Sequence, residues 1–483
     1  MKLLFYLSLI HFVFTEDANY PYDLSDCTHL ILPERCQCYH SGNESQLHCH
    51  NIQLEFLPKL PNNMHWYALD FSFNSLTSID SYVFSDIYVE KLDLHSNRLQ
   101  TIEVTAFDQI QNLRLLFINQ NQLKSFHPNV LTSPGVSLEI LDISKNPFEH
   151  LNLGEIFLQA PVLRELYATD CQLNDSTLST ISKLTTNNSH HNLRILDLSS
   201  NNLTALCNRF FSGLVGLTEL RLNNNQIRFI DNDFIRTLNY LQILNLAFNS
   251  IEHVPHLFSS SLEIWNMSSN SIRYLSDYFV SNLHSIRVID FESNQYLDTI
   301  SSRAFCFLNI LTLEKLSFRS NNLFSANTFS DLLCQLLEHN STKQNLLDVN
   351  HNVYLECDCI LTQFERYLID YWDLTCTQQG QDRYFISKLT NVFANCTLDF
   401  CSRLKKEHIC RWDQIESVPW FGSCPVLTNE VTNLTANESE TIKSPNISQI
   451  WTNRSALNRM TQTSACDRMN SILLLILLFL LYI

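Results

Sequence analysis

Glycine is scarce in this sequence. Seven residues in 483 stand against the roughly 7% of average usage, so glycine-cradled nucleotide folds are disfavoured and collagen-like or flexible-linker architectures are excluded. Charge is thin as well: 17% of the residues are charged, and 49 acidic against 32 basic side chains leave a formal net charge of -17. A nucleic-acid partner is therefore not expected, because phosphate binding needs a clustered positive field. The one basic tract, Arg403, Lys405 and Lys406, reads as a solvated surface run. The strings H-E-x-x-H, G-x-S-x-G and G-x-x-x-x-G-K-[ST] do not occur, so no catalytic residue and no cofactor is expected. What is abundant is apolar: 45% of the residues are hydrophobic and 31 are Phe, which excludes wholesale disorder. A chain about three times the ~150-residue domain size holds either several domains or one array that grows in a single dimension.

The two ends read as processing segments. Met1 and Lys2 precede an apolar run from Leu3 to Phe14 and a polar stop at Thr15, Glu16 and Asp17, the pattern of a secretory signal peptide over residues 1–15. At the other end Ile472 to Ile483 is apolar. As a helix its 12 residues would cover only ~18 Å of a ~30 Å hydrocarbon core. A lipid-attachment signal over 465–483, with Ser464 as the attachment residue, fits better than a short membrane helix or a secreted form. The spacer Asp467 to Ser471 is shorter than the usual ~8 to 12 residues. Asn-x-Ser/Thr sequons at Asn43, Asn174, Asn187, Asn202, Asn266, Asn340, Asn395, Asn433, Asn437, Asn446 and Asn453 agree with an exported chain. The last four crowd a Thr/Asn/Ser-rich stretch, so 425–464 is expected to be a glycosylated stalk.

Between the ends one pattern recurs twelve times. An apolar residue is followed by two variable ones, apolar, variable, apolar, two variable, Asn, variable, apolar, as in Leu193 to Leu203 and Leu217 to Ile227. The Asn position falls at 74, 97, 121, 146, 171, 201, 225, 249, 270, 294, 321 and 352, with most spacings between 23 and 25. That lies within the ~20 to 29 window of leucine-rich repeats. The alternating apolar residues predict a short strand in each repeat, and stacking the repeats builds one continuous core. The Asn amide is expected to satisfy backbone groups freed where the chain bends. Cys171 replaces Asn in the fifth repeat and reads as a buried structural thiol. On the outer side Phe84, Phe107, Phe157, Phe211, Phe234, Phe258, Phe279, Phe305 and Phe329 predict a second, aromatic spine. The reading is an α/β solenoid, a horseshoe with a parallel concave β-sheet and an array over 61–354.

Cysteines bracket the array: Cys27, Cys36, Cys38 and Cys49 before it, Cys357, Cys359, Cys376 and Cys396 after it. In an exported chain these are disulfide frameworks closing the raw ends of the solenoid, a cap over 27–60 and another over 355–424. The His48-Cys49-His50 tripeptide is assigned to the cap and not to a metal. With these motifs the chain resembles extracellular leucine-rich-repeat proteins with cysteine-rich flanks, as in Toll-like receptor ectodomains, Slit modules and chaoptin. An intracellular signalling domain like that of the Toll-like receptors is not expected, and Cys401, Cys410 and Cys424 lie beyond the usual cap. The resemblance implies Cys357 to Cys376 and Cys359 to Cys396 pairings. If the tail is cleaved after Ser464, Cys466 is lost and an odd number of cysteines remains, with Cys171 the expected free one.

Residues pointing outward from the strands line the concave face. Their central column is Asp70, Asp93, Phe117, Asp142, Tyr167, Asp197, Arg221, Asn245, Asn266, Asp290, Ser317 and Asp348, six of them Asp, a common filler at this position. Phe117 and Tyr167 are expected to be exposed aromatic anchors about 10 Å apart, with Leu115, Arg164, Glu165, Arg194 and Arg221 as a mixed rim. A glycan on Asn266 would project into the concavity, directing a ligand to repeats three to seven. The expected function is non-catalytic: a cell-surface glycoprotein that binds a protein partner, with a possible dimer or co-receptor arrangement. An innate-immune receptor for microbial ligands and a secreted, matrix-associated glycoprotein are the alternatives.

Overall fold

Alternating apolar residues over a few positions are stable only as a strand with one face covered. In the computed structural model, which describes residues 33–385 except 34, 42–43, 61–64, 183, 185–189, 340, 371–373 and 379–381, these stretches form one 14-stranded sheet. A cap hairpin, Gln37–Ser41 and Glu44–His48, is antiparallel, and its second strand pairs in parallel with His65–Asp70. Twelve parallel strands then follow in chain order from His65–Asp70 to Leu347–Asp348. They stay in register, so Leu116, Leu141, Leu166, Leu196, Leu220, Leu244, Trp265 and Ile289 stand in one row, all buried. The convex side is made of turns, two-residue strands and short helices such as Leu153–Gln159, Asp175–Ile181 and Ser330–Glu338. Among the described residues no helix is long and apolar enough to cross a membrane.

The Asn ladder solves the bend after each strand. Asn97 Nδ2 donates to Leu94 O at 3.1 Å and to Phe71 O of the preceding repeat at 2.9 Å, while its Oδ1 accepts the Leu76 N–H at 3.1 Å. The same scheme recurs at Asn121, Asn146, Asn225, Asn249 and Asn270. The residue before the ladder position is left-handed in all twelve repeats, from Phe73 and Ser96 to Ser320 and His351, with φ between 53° and 62°. None of these is Gly. The conformation that glycine would adopt freely is held in eleven of them by the side-chain amide bonds of the next residue, Asn, and only Asp170 precedes a Cys instead, so the array needs no glycine at its bends. Gly135 and Gly154 serve close approach instead: a Cβ would stand 2.1 Å from Gln159 O or Thr180 O of the following turn.

Cys171 is buried and is the free cysteine among the described residues. Its Sγ lies 3.4 Å from Ile143 O and Thr169 O, but it offers no oxygen to the previous repeat. The Phe148 N–H turns to Asn146 O at 2.9 Å instead. Burial pushes the thiol up to about 12, the environment of an inert structural cysteine.

Eight of the nine expected spine residues are buried, and rings of Phe279, Phe305 and Phe329 follow one another at 5.9 and 5.7 Å. Phe258 is a correction. Leu257 takes the inward position there, and Phe258 is left outside beneath the Arg236 guanidinium at 5.1 Å. Tyr296 and Tyr354 also depart from the pattern: both are exposed, and Leu297 and Leu355, one residue later, fill the core. The extra residue in each of these bends turns the tyrosine outward.

At the ends, Cys36 is bonded to Cys49 and Cys357 to Cys376. Cys38, Cys207, Cys306 and Cys334 are also disulfide-bonded. The signal peptide, Cys27, Cys396, Cys401, Cys410, Cys424, the stalk with Asn433, Asn437, Asn446 and Asn453, Ser464 and the apolar tail lie outside the described residues.

Candidate functional site

The central column of the concave face is partly structural. Oδ1 of Asp70, Asp93, Asp142, Asp197, Asp290 and Asp348 each accepts the backbone N–H two residues on, at 2.9 to 3.1 Å. Asn245 and Asn266 do the same. A short side chain with an acceptor closes a local turn at the end of the strand, which explains why Asp and Asn recur. Burial raises Asp142 and Asp290 above the ordinary carboxylate range, since desolvation outweighs the hydrogen bonds each receives.

Four column residues depart from this rule, Arg221, Ser317 and the two aromatics Phe117 and Tyr167, whose rings offer no acceptor to that N–H. The aromatics stand on either side of Asp142, in direct register across three strands. Both are half-buried, less open than the sequence pattern implies. The Lys91 ammonium lies over the Phe117 ring at 5.4 Å. Lys91 itself is buried, and desolvation holds it below the usual lysine value against the pull of Asp93 and Asp70. The Tyr167 hydroxyl donates to Glu165 Oε2 at 2.7 Å, and burial first, then that carboxylate, raise its pKa. Leu115 stands half-buried one pleat away on the Phe117 strand. Arg221 is held to Glu219 at 2.7 Å and Asp197 at 3.2 Å, closing the cluster on the side of the seventh repeat.

Two expected rim residues lie elsewhere. Arg164 pairs with Glu139 at 3.2 Å in an alternating row along the sheet edge, Glu90, Arg114, Glu139 and Arg164. Arg194 donates through Nη1 to His191 O and Gly216 O, both at 2.7 Å, which ties it to backbone. The structure thus brings together Phe117, Tyr167, Leu115, Glu165 and Arg221, and places Arg164 and Arg194 on the flank. The flank carries what residue-by-residue reading missed: a hollow of about 350 Å³ lined by Asn112, Arg114, Val136, Glu139, Val162 and Arg164. It adjoins a second, of about 630 Å³, that reaches Tyr88 and Gln111. Val136, 71% exposed, projects between them. Its signal in sequence was an apolar residue in a loop with no core partner, which periodicity does not register.

The described sequons map away from this half of the concavity. Asn174 caps the convex helix Asp175–Ile181, Asn202 is exposed beyond the sixth ladder position, and Asn266 sits half-buried in the central column of the ninth repeat. Asn43, Asn187, Asn340 and Asn395 lie outside the described residues.

Comparison with known proteins places the array. The profile described as Leucine rich repeat matches residues 87–148, 191–251 and 216–261. Osteomodulin of Rattus norvegicus is 24% identical over 311 residues, covering 59% of this chain and 72% of that protein. Lumican of Coturnix japonica is 28% identical over 239 residues, covering 48% of this chain and 64% of that protein. Toll-like receptor 8 of Homo sapiens is 29% identical over 217 residues, which is 43% of this chain but 18% of the receptor. Among solved structures, the TLR13 chain of a TLR13-ssRNA13 complex aligns with 67% of this chain and 56% of its own at 21% identity and a TM-score of 0.38.

Proposed function

We propose that this leucine-rich-repeat chain, a relative of extracellular matrix proteoglycans and receptors, is a non-catalytic binding glycoprotein that takes a protein ligand on the concave face of repeats three to seven. One observation carries the reading. Phe117 and Tyr167 occupy positions that eight of the other ten repeats fill with an Asp or Asn closing a turn, so two large aromatics stand where the local backbone asks for a short acceptor. Rigid aromatics with a half-open face over a fixed sheet are efficient anchors, since little rotamer entropy remains to be lost on binding. Leu115 supplies the apolar centre and Glu165 and Arg221 a polar rim. A glycan on Asn266 would close the far half of the face.

The test is an ectodomain binding screen against cell-surface proteins and microbial glycolipids, followed by Phe117→Ala with Tyr167→Ala on whatever binds. The expected outcome is a protein hit and a loss of about 2 kcal/mol or more in binding. Unchanged affinity would end the concave-anchor reading. A secreted, matrix-associated role is the second reading, favoured by osteomodulin and lumican among the relatives. Release of the chain from cells by a phosphatidylinositol-specific phospholipase supports attachment at the outer face of the plasma membrane and counts against that second reading.

A further inference from the structure

His48 ends the second cap strand, and the alternation carried on past it through Cys49 and His50 decides where the His48-Cys49-His50 tripeptide points. Cys49 turns inward, fully buried in its disulfide with Cys36. The imidazoles on either side are sent to the opposite, concave side, where the neighbouring strand places Asp70 directly across from His48. His48 Nδ1 lies 3.8 Å from Asp70 Oδ2, and His50 Nδ1 lies 3.7 Å from the same oxygen. These separations are too long for hydrogen bonds. One ligand atom from each of the three residues nonetheless falls within 4.8 Å of the others.

We propose that His48, His50 and Asp70 form a binding site for a divalent ion of the zinc class, held by two imidazole nitrogens and one carboxylate oxygen. Such a donor set suits zinc, with bonds of about 2.0 to 2.2 Å. A tetrahedron with those bonds has edges of about 3.3 Å, so the two His–Asp separations of 3.8 and 3.7 Å need to close by about half an ångström and the two imidazoles, within 4.8 Å of each other, by up to about 1.5 Å. His50, with 57% of its side chain exposed, has the freedom to do so. The outer contacts leave the right atoms available. Asp70 Oδ1 is occupied by the Ser72 N–H at 2.9 Å, which leaves Oδ2 for the ion. His48 Nε2 lies 3.4 Å from Gln46 Oε1, so a proton on Nε2 donates outward and the Nδ1 lone pair faces the centre. The Tyr39 ring packs edge-on against His48 at 5.3 Å and limits its rotation.

The ion joins the last strand of the cap to the first strand of the array, and its outer side faces water, open to a further donor. Lys91, the nearest cation on the same face, acts against it electrostatically. Titration calorimetry of the purified full chain with Zn2+ tests the site. One ion per chain is expected, with affinity falling about tenfold or more in His50→Gln and in Asp70→Asn, and rising in Lys91→Met. Ca2+, which takes six to eight oxygens, is expected not to compete. Because His50 is exposed, its replacement leaves folding intact. Visible d–d bands of bound Co2+, lost in His50→Gln and in His48→Gln, give a second readout. No saturable Zn2+ uptake, or the same stoichiometry and affinity in His50→Gln, would overturn the proposal.

Discussion

Asn146→Ala isolates what one rung of the ladder contributes. The residue is fully buried. Its Oδ1 accepts the Leu123 N–H at 3.1 Å, and its Nδ2 donates to Ile118 O at 3.0 Å and Ile143 O at 2.9 Å. Alanine removes these bonds together with a longer one from Nδ2 to Ser144 O at 3.4 Å. The orphaned Leu123 N–H costs about 1–3 kcal/mol, and the two lost donations about 0.5–1.5 kcal/mol each. The sum centres on about 4 kcal/mol. Cys171→Ala is the internal comparison: the N–H that an Asn would serve there, that of Phe148, is already bonded to Asn146 O. Only the weak thiol contacts and a small volume are lost, about 1 kcal/mol. In a solenoid the loss falls on one repeat and its neighbours, so two measurements are needed. Urea unfolding gives the total, and amide hydrogen exchange at Leu123 reports the orphaned group directly. Equal destabilisation by the two variants, or unchanged protection at Leu123 in Asn146→Ala, would refute the account of the ladder as shared backbone acceptor and donor.

Three further outcomes follow from the same geometry. Phe305→Ala, which removes a ring packed among Phe279, Phe318 and Phe329, is expected to cost about 3–5 kcal/mol in urea unfolding, whereas Phe258→Ala, outside the spine, stays within about 0.5 kcal/mol. The Cys171 thiol, held near 12 by burial, is expected to resist alkylation in the folded chain and react only once denaturant is added, as mass spectrometry would show. Buried His190 and His256 have pKa values lowered by desolvation, so their stabilising contribution is complete above about pH 6.5 and is lost as pH falls below it, by up to about 1.4 kcal/mol per pH unit for each imidazole. His95, where desolvation is outweighed by the hydrogen bond and charge of Asp93 together with Asp70 and Asp142 so that its pKa is raised, works in the other direction, its contribution present below about pH 6.5 and lost above its folded value. Melting His190→Gln beside the parent chain between pH 7 and 5 isolates the first term: the variant's curve is expected to be flatter.

The repeat was legible because each of its positions answers to one requirement. An inward strand residue must be apolar and a bend residue must both accept and donate, so twelve copies of the same solution stand out in sequence. Where two neighbouring residues satisfy the requirement equally, the pattern misleads. Phe258 and Leu257 are adjacent and both apolar, and the turn before the ninth strand seats the smaller one inside. Tyr296 and Leu297, and Tyr354 and Leu355, pose the same choice, and a single extra residue in the bend decides it. A spacing rule has no term for that register shift.

The concave face was less legible for a different reason: a side chain's role there depends on what stands beside it one strand away, some 20 to 30 residues off in sequence. Asp142 and Phe117 hold equivalent positions, yet one closes a turn and the other carries Lys91 over its ring. Arg194 and Arg221 have the same chemistry, but the first is spent on two carbonyl groups and the second on two carboxylates. The tripeptide at 48–50 shows the point most sharply. Along the chain Cys49 is the softest donor of the tripeptide, and its disulfide removes it as a ligand. Across the strands that same disulfide is what turns both imidazoles toward Asp70. Losing the Cys36–Cys49 bond would therefore free the tripeptide to rotate. The chain carrying Cys36→Ser together with Cys49→Ser, which leaves no free thiolate between the imidazoles, is expected to bind Zn2+ more weakly even though none of the three donors has been removed, and calorimetry at matched folded fraction decides it.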